Sequence, residues 1–143
     1  MVEKETVRSL LDTVERRVAR LERAAGTPVE EYLSDRDLQD IVERNFELAI
    51  QACIDLALHL LADQPTALPD TNRAVFGALH REGLLDEELA ARLEAMAGFR
   101  NVLAHEYASV NPELVHEHLG RLDDIRGFVE ALVPELRERG GLE

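Results

Sequence analysis

Apolar residues recur along most of the chain at steps of three and four, the spacing that gathers them on one face of a helix. Between Lys4 and Ala24 the stripe is Val7, Leu10, Leu11, Val14, Val18 and Leu21, and the other face carries Glu15, Arg16, Arg17, Arg20 and Glu22. This predicts an amphipathic surface helix. Gly26-Thr27-Pro28 closes it, and 29–33 reads as a connector. A second helix is predicted from Ser34, an N-cap residue with Asp37 three positions on, to Leu61. From Phe46 onward it is apolar nearly all round, the pattern of a central helix or of one shared with a partner subunit. Residues 64–70 form a loop with two prolines. A short helix over 72–81 turns Val75, Phe76 and Leu79 inward and stops at Gly83. A fourth, long helix spans Asp86 to about His105. The fifth opens at Asn111-Pro112-Glu113, with Asn as cap, Pro at the first helical position and Glu in the first turn. Leu114, Val115, Leu119, Leu122, Ile125, Val129 and Leu132 continue it, Pro134 is expected to kink or end it, and 137–143 reads as a polar tail. The expected architecture is all-α: a single domain over 1–143, folded as an antiparallel bundle of about five helices.

Composition narrows the function. A chain of 143 residues makes one domain and can bury a sufficient core without disulfides or metals. Its single cysteine, Cys53, cannot form an internal bridge; it lies in an apolar run and reads as core in a reducing compartment. The first residues, Met1 to Glu5, carry acids and no apolar stretch, unlike a signal peptide. No uninterrupted apolar run of ~18 residues occurs, so no membrane span is expected and a cytoplasmic location is. Acidic residues number 29 against 16 basic, for a net charge of −13. That excludes a generally basic nucleic-acid coat but leaves room for a small basic site. With 4% aromatics and no Trp, an extended base-stacking platform is excluded too.

Candidate chemistry concentrates at the end of the fourth helix, in Phe99-Arg100-Asn101-Val102-Leu103-Ala104-His105-Glu106-Tyr107. At ~100° per residue, Arg100 and Tyr107 fall within ~40° of the apolar line through Leu89, Leu93 and Met96. Asn101 and His105, four apart, share the neighbouring stripe. An Arg on an apolar face needs a partner. Either Arg100 pairs with a carboxylate such as Asp55, or it belongs to an anion site with His105 as titratable base. On the second helix Arg44, Gln51 and Asp55 lie within ~40° of one another, which leaves Arg44 and Asp55 as an ion pair or as support for a site nearby.

These residues resemble a known family. Arg100-Asn101-x-x-x-His105-x-Tyr107 is similar to the R-x4-H-x-Y motif of HepT-like toxins in the HEPN ribonuclease superfamily. Arg44 to Asp55 resembles that family's second helix, and Gly83-Leu84-Leu85-Asp86 with Met96 to Asn101 resembles its approach to the motif. The likeness covers about Leu10 to Leu132. It implies a homodimer whose fourth helices face each other across a cleft, and metal-independent RNA cleavage. His105 would move the 2′-OH or leaving-group proton, Arg100 would hold the scissile phosphate, and Asn101 would orient the phosphate or the His. The products would be a 2′,3′-cyclic phosphate and a 5′-hydroxyl. It further implies a partner, an MNT-type nucleotidyltransferase antitoxin that transfers AMP from ATP to Tyr107. The toxin itself would need no cofactor. Arg44 and Asp55 would then support the cleft.

Other residues invite blander readings. Glu113-x-x-His116 has the spacing of carboxylate di-iron bundles, but such sites need two copies and further inward Glu residues, so no metal is expected. His118 adds a possible ligand on a different helix face; His59 reads as a helix-end residue and His80 as a surface one. The net charge of −13 opposes RNA binding and suits a partner with a basic face. It keeps two other classes open: a non-catalytic helical module that binds a nucleotidyltransferase and its substrate, and a purely structural helical dimer.

Overall fold

The computed structural model describes residues 3–65, 67–105 and 110–141. Within them the chain forms helices α1 (Lys4–Ala25), α2 (Val29–Leu33), α3 (Arg36–Ala62), α4 (Ala74–Arg81), α5 (Glu87–His105), α6 (Pro112–His118) and α7 (Leu122–Glu138), with a 3-10 turn at Leu119–Arg121. No strand occurs among the described residues.

Helix α3 is the centre of the bundle. Its inward residues, from Val42 and Phe46 through Ile50, Ile54 and Leu56 to Leu61, are buried against α1 on one side and α4, α5 and α7 on others. By length and composition α3 could cross a membrane, yet 61% of that stretch is buried inside the bundle, as the core helix of a folded domain. The α1 stripe covers it, with Val7, Leu11, Val14, Val18 and Leu21 buried as their spacing predicts. Cys53 is buried, and desolvation pushes its thiol up to about 12, which leaves it inert as a nucleophile.

Several local expectations are corrected. The 29–33 connector is the short helix α2: Pro28 precedes it with φ −58°, and Tyr32, fully buried, anchors it. Gln39 Nε2 then donates to the Tyr32 and Leu33 carbonyls at its end. The cap of α3 is Asp35 rather than Ser34. Asp35 Oδ1 accepts from the Leu38 amide at 3.0 Å, while the Ser34 hydroxyl donates to the Glu31 carbonyl and so closes α2. Asp86 caps α5 through the Leu89 amide, and Asn111 caps α6 through the Glu113 amide as expected.

The fifth helix is two helices. The chain tightens into a 3-10 turn at Leu119–Arg121, and Leu119 and Leu122 are both buried there. Pro134 does not end α7, which runs through it to Glu138. The proline lies on the exposed side, where water can serve the carbonyl that loses its amide, and buried Leu132 and Leu136 hold the helix on either side. The expected polar tail is therefore partly helix, and Arg139 ties it back to Asp63 at 2.9 Å.

Candidate nuclease site at the end of α5

The site is built on a small aromatic stack. Phe99, buried on α5, meets the edge of Phe46 from α3 with centroids 5.4 Å apart. On its other side lies His118 from the end of α6, at 3.9 Å and 16° between ring planes. His118 is itself buried, and its Nδ1 has no hydrogen-bond partner. Helices α3, α5 and α6 thus converge on the residue immediately before Arg100.

Burial holds the His118 imidazole below its ordinary pKa; nearby Arg121 acts the same way, against Glu117 and Asp124. The unfolded chain therefore takes up this proton more readily than the native one. The native advantage is complete above about pH 6.5, the ordinary imidazole value, and is lost as pH falls below it. His118→Phe keeps a ring on Phe99 and removes the titration. Its thermal midpoint is expected to fall less than that of the natural protein between pH 7 and pH 5, as followed by circular dichroism. Equal falls would contradict this role for His118.

Arg100 is half-buried at the start of the last turns of α5. Its Nη1 donates to Asn101 Oδ1 at 3.4 Å, and its Nε is buried without a partner among the described residues. The alternative of an Arg100–Asp55 pair is overturned: Asp55 accepts instead from Gln51 Nε2 at 2.9 Å. Nor do Arg44 and Asp55 form an ion pair, because exposed Arg44 bridges to Glu47 at 2.7 Å, one turn along its own helix. Asn101 is half-buried, and His105, the last residue of α5, is exposed. Exposed Val102 sits between them. The structure thus brings Arg100, Asn101 and His105 onto the final turns of one helix, with the arginine lacking a carboxylate among the described residues. Tyr107 lies outside the described residues.

On one chain Arg100 and His105 diverge by ~140° at 100° per residue. Asn101 bridges them in azimuth, ~100° from Arg100 and ~40° from His105. An anion held by Arg100 would meet the His of the same helix only obliquely.

The other histidines are placed elsewhere. His116 Nε2 lies 2.8 Å from the Thr27 carbonyl, and its ring tilts against Tyr32. His80 Nδ1 lies 2.9 Å from the Leu85 carbonyl. His116 and His118 therefore face different neighbours, and no cluster of three or more metal-binding side chains occurs among the described residues. The supporting role of His118 has no sequence signal, because the Phe99–His118 stack joins residues far apart in the chain.

A helical bundle that presents Arg, Asn and His at one helix end fits a definite class of protein. The profile of the family described as Ribonuclease HepT-like matches residues 14–132. This chain belongs to that family. It is 30% identical, over 124 residues covering 86% of the chain and 92% of the relative, to the mRNA nuclease HepT of Shewanella oneidensis. It is 31% identical to the tRNA nuclease HepT of Aphanizomenon flos-aquae over 114 residues, 80% of this chain and 78% of that one. Its fold matches a solved structure of a tri-AMPylated Shewanella oneidensis HEPN toxin in complex with MNT antitoxin. There the TM-score is 0.81 and the identity 26%, with 89% of this chain and 96% of the other covered.

Proposed function

We propose that the chain is the toxin of a toxin–antitoxin pair, a metal-independent RNA endonuclease that works as a homodimer. The observation that carries this is Arg100: half-buried, with its Nε unpartnered and no carboxylate against it among the described residues, and on the same helix end as Asn101 and His105. A guanidinium so placed is a receptor for phosphate. Pairing two α5 helices across a two-fold axis would bring two Arg100–His105 sets into one cleft.

In that cleft one His105 takes the proton of a ribose 2′-OH. The 2′-oxygen attacks the adjacent phosphorus, the bond from phosphorus to the 5′-oxygen breaks, and the leaving oxygen collects a proton from the second His105. Arg100 stabilises the charge that grows on the phosphoryl oxygens, and Asn101 orients the phosphate or the His. The products are a 2′,3′-cyclic phosphate and a 5′-hydroxyl. This chain's residues need no cofactor for any of these steps.

Regulation follows from a partner like the one bound to the Shewanella toxin. An MNT-type nucleotidyltransferase would transfer AMP from ATP to Tyr107, the tyrosine oxygen displacing pyrophosphate at the α-phosphorus. An anion two residues from His105 competes with RNA for Arg100. Arg44, exposed and bridged to Glu47, and Asp55, held by Gln51 beside Thr6 and Leu10 of α1, are given no part in the cleft.

The test is cleavage of matched RNA and DNA oligonucleotides. The RNA is expected to be cut to cyclic phosphate ends and the DNA, lacking the 2′-OH, to be spared. The charge of −13 favours a second reading, a non-catalytic module that docks on a basic nucleotidyltransferase. A folded, unmodified dimer that binds that partner yet cuts no RNA would establish the second reading over the first.

A further inference from the structure

Arg73 sits at the start of α4, where the Thr71 hydroxyl accepts from the Ala74 amide and fixes the first turn. Its side chain reaches across to α5 and lies flat over Gly98: a Cβ placed there would stand 3.4 Å from Arg73 Nη1 and 3.7 Å from its Cζ. The guanidinium therefore lies in van der Waals range of the Gly98 position on α5.

Gly98 shares its stripe of α5 with two residues of the site. Gly98, Asn101 and His105 fall within ~60° of one another around the helix, at rises of ~4.5 and ~10 Å from Gly98. Arg73 therefore extends the face that carries Asn101 and His105, on the side away from Arg100. Some arginines on this acidic surface take carboxylates: Arg16 has Asp12, Arg92 has Asp124 and Glu88, Arg126 has Glu22, and Arg139 has Asp63. Arg73 is exposed and has no carboxylate among the described residues.

We infer that Arg73 is a substrate-binding residue that holds an RNA backbone phosphate flanking the scissile one. This rests on the nuclease reading above and deepens it. A strand laid along the stripe advances ~3.4 Å or more per nucleotide, so the ~10 Å from Gly98 to His105 spans two or three nucleotides. With Arg73 at one end and His105 at the other, the stripe becomes a short track for the substrate on a protein whose remaining surface repels it.

The experiment is fluorescence anisotropy of a short, fully 2′-O-methylated RNA, which binds without being cut, read beside cleavage of the unmodified oligonucleotide. Arg73→Gln is expected to weaken binding roughly 5–10-fold at low salt and to reduce the slope of log affinity against log salt by about 0.7, the value of one phosphate on a single strand. Arg73→Lys keeps the slope. Arg81→Gln, the same loss of charge at the other end of α4, leaves affinity and slope unchanged. The thermal midpoint of Arg73→Gln stays at the natural value, which separates binding from folding. If the natural protein binds and cuts RNA but Arg73→Gln does so equally well, or Arg81→Gln is equally impaired, the assignment of Arg73 is overturned. If the natural protein neither binds nor cuts RNA, the nuclease reading fails and this one with it.

Discussion

His105→Ala is expected to lower RNA cleavage about 10²–10⁴-fold, the usual worth of a positioned proton-transfer group. The fold should not change. His105 is the exposed last residue of α5, and it contributes to no buried contact that the bundle depends on. The thermal midpoint of the variant should match that of the natural protein. Arg100→Ala should lose cleavage to a comparable degree, but its half-buried position makes it the less clean test. Parallel measurement of turnover and unfolding separates chemistry from stability in both. Retained cleavage in a folded His105→Ala protein would remove the base from the proposed mechanism.

Phe46→Ala is expected to have the largest effect on stability, a loss of about 3–5 kcal/mol. Phe46 is fully buried and touches Phe99 and His118, so its removal opens a cavity where α3, α5 and α6 meet. At the size of this domain that corresponds to a fall of roughly 10 °C or more in the thermal midpoint. The same cavity undercuts the turn that carries Arg100, so cleavage should fall even at temperatures where the variant remains folded. A shift of only a degree or two would show that the aromatic stack is not what holds the end of α5.

The long helices were legible because one-sided burial writes itself into spacing. The α1 stripe and the apolar run of α3 follow from which residues must leave water, and the Asn111-Pro112-Glu113 start of α6 follows from local backbone chemistry. What escaped depends on tertiary context. Ser34 and Asp35 are both good caps, and the choice between them is made by the closing of α2, which engages the Ser34 hydroxyl. Pro134 is tolerated because it faces outward between two buried leucines, and no single-residue rule reports which way it faces.

At the site, the type and spacing of Arg100, Asn101 and His105 could be read directly from the sequence. The partner of Arg100 could not be, because Asp55 had a nearer donor in Gln51. The approach of Arg73 to Gly98 was equally hidden, since it joins two helices far apart in the chain.

Arg100, Asn101 and His105 are proposed to cleave RNA without a metal. The measurement that bears on it most directly is cleavage in excess EDTA by protein produced without any partner, beside its His105→Ala variant. Cleavage is expected to survive EDTA, to leave 2′,3′-cyclic phosphate and 5′-hydroxyl ends, and to vanish in the variant. Cleavage abolished by EDTA and restored by a divalent ion, or equal cleavage by the variant, would contradict it.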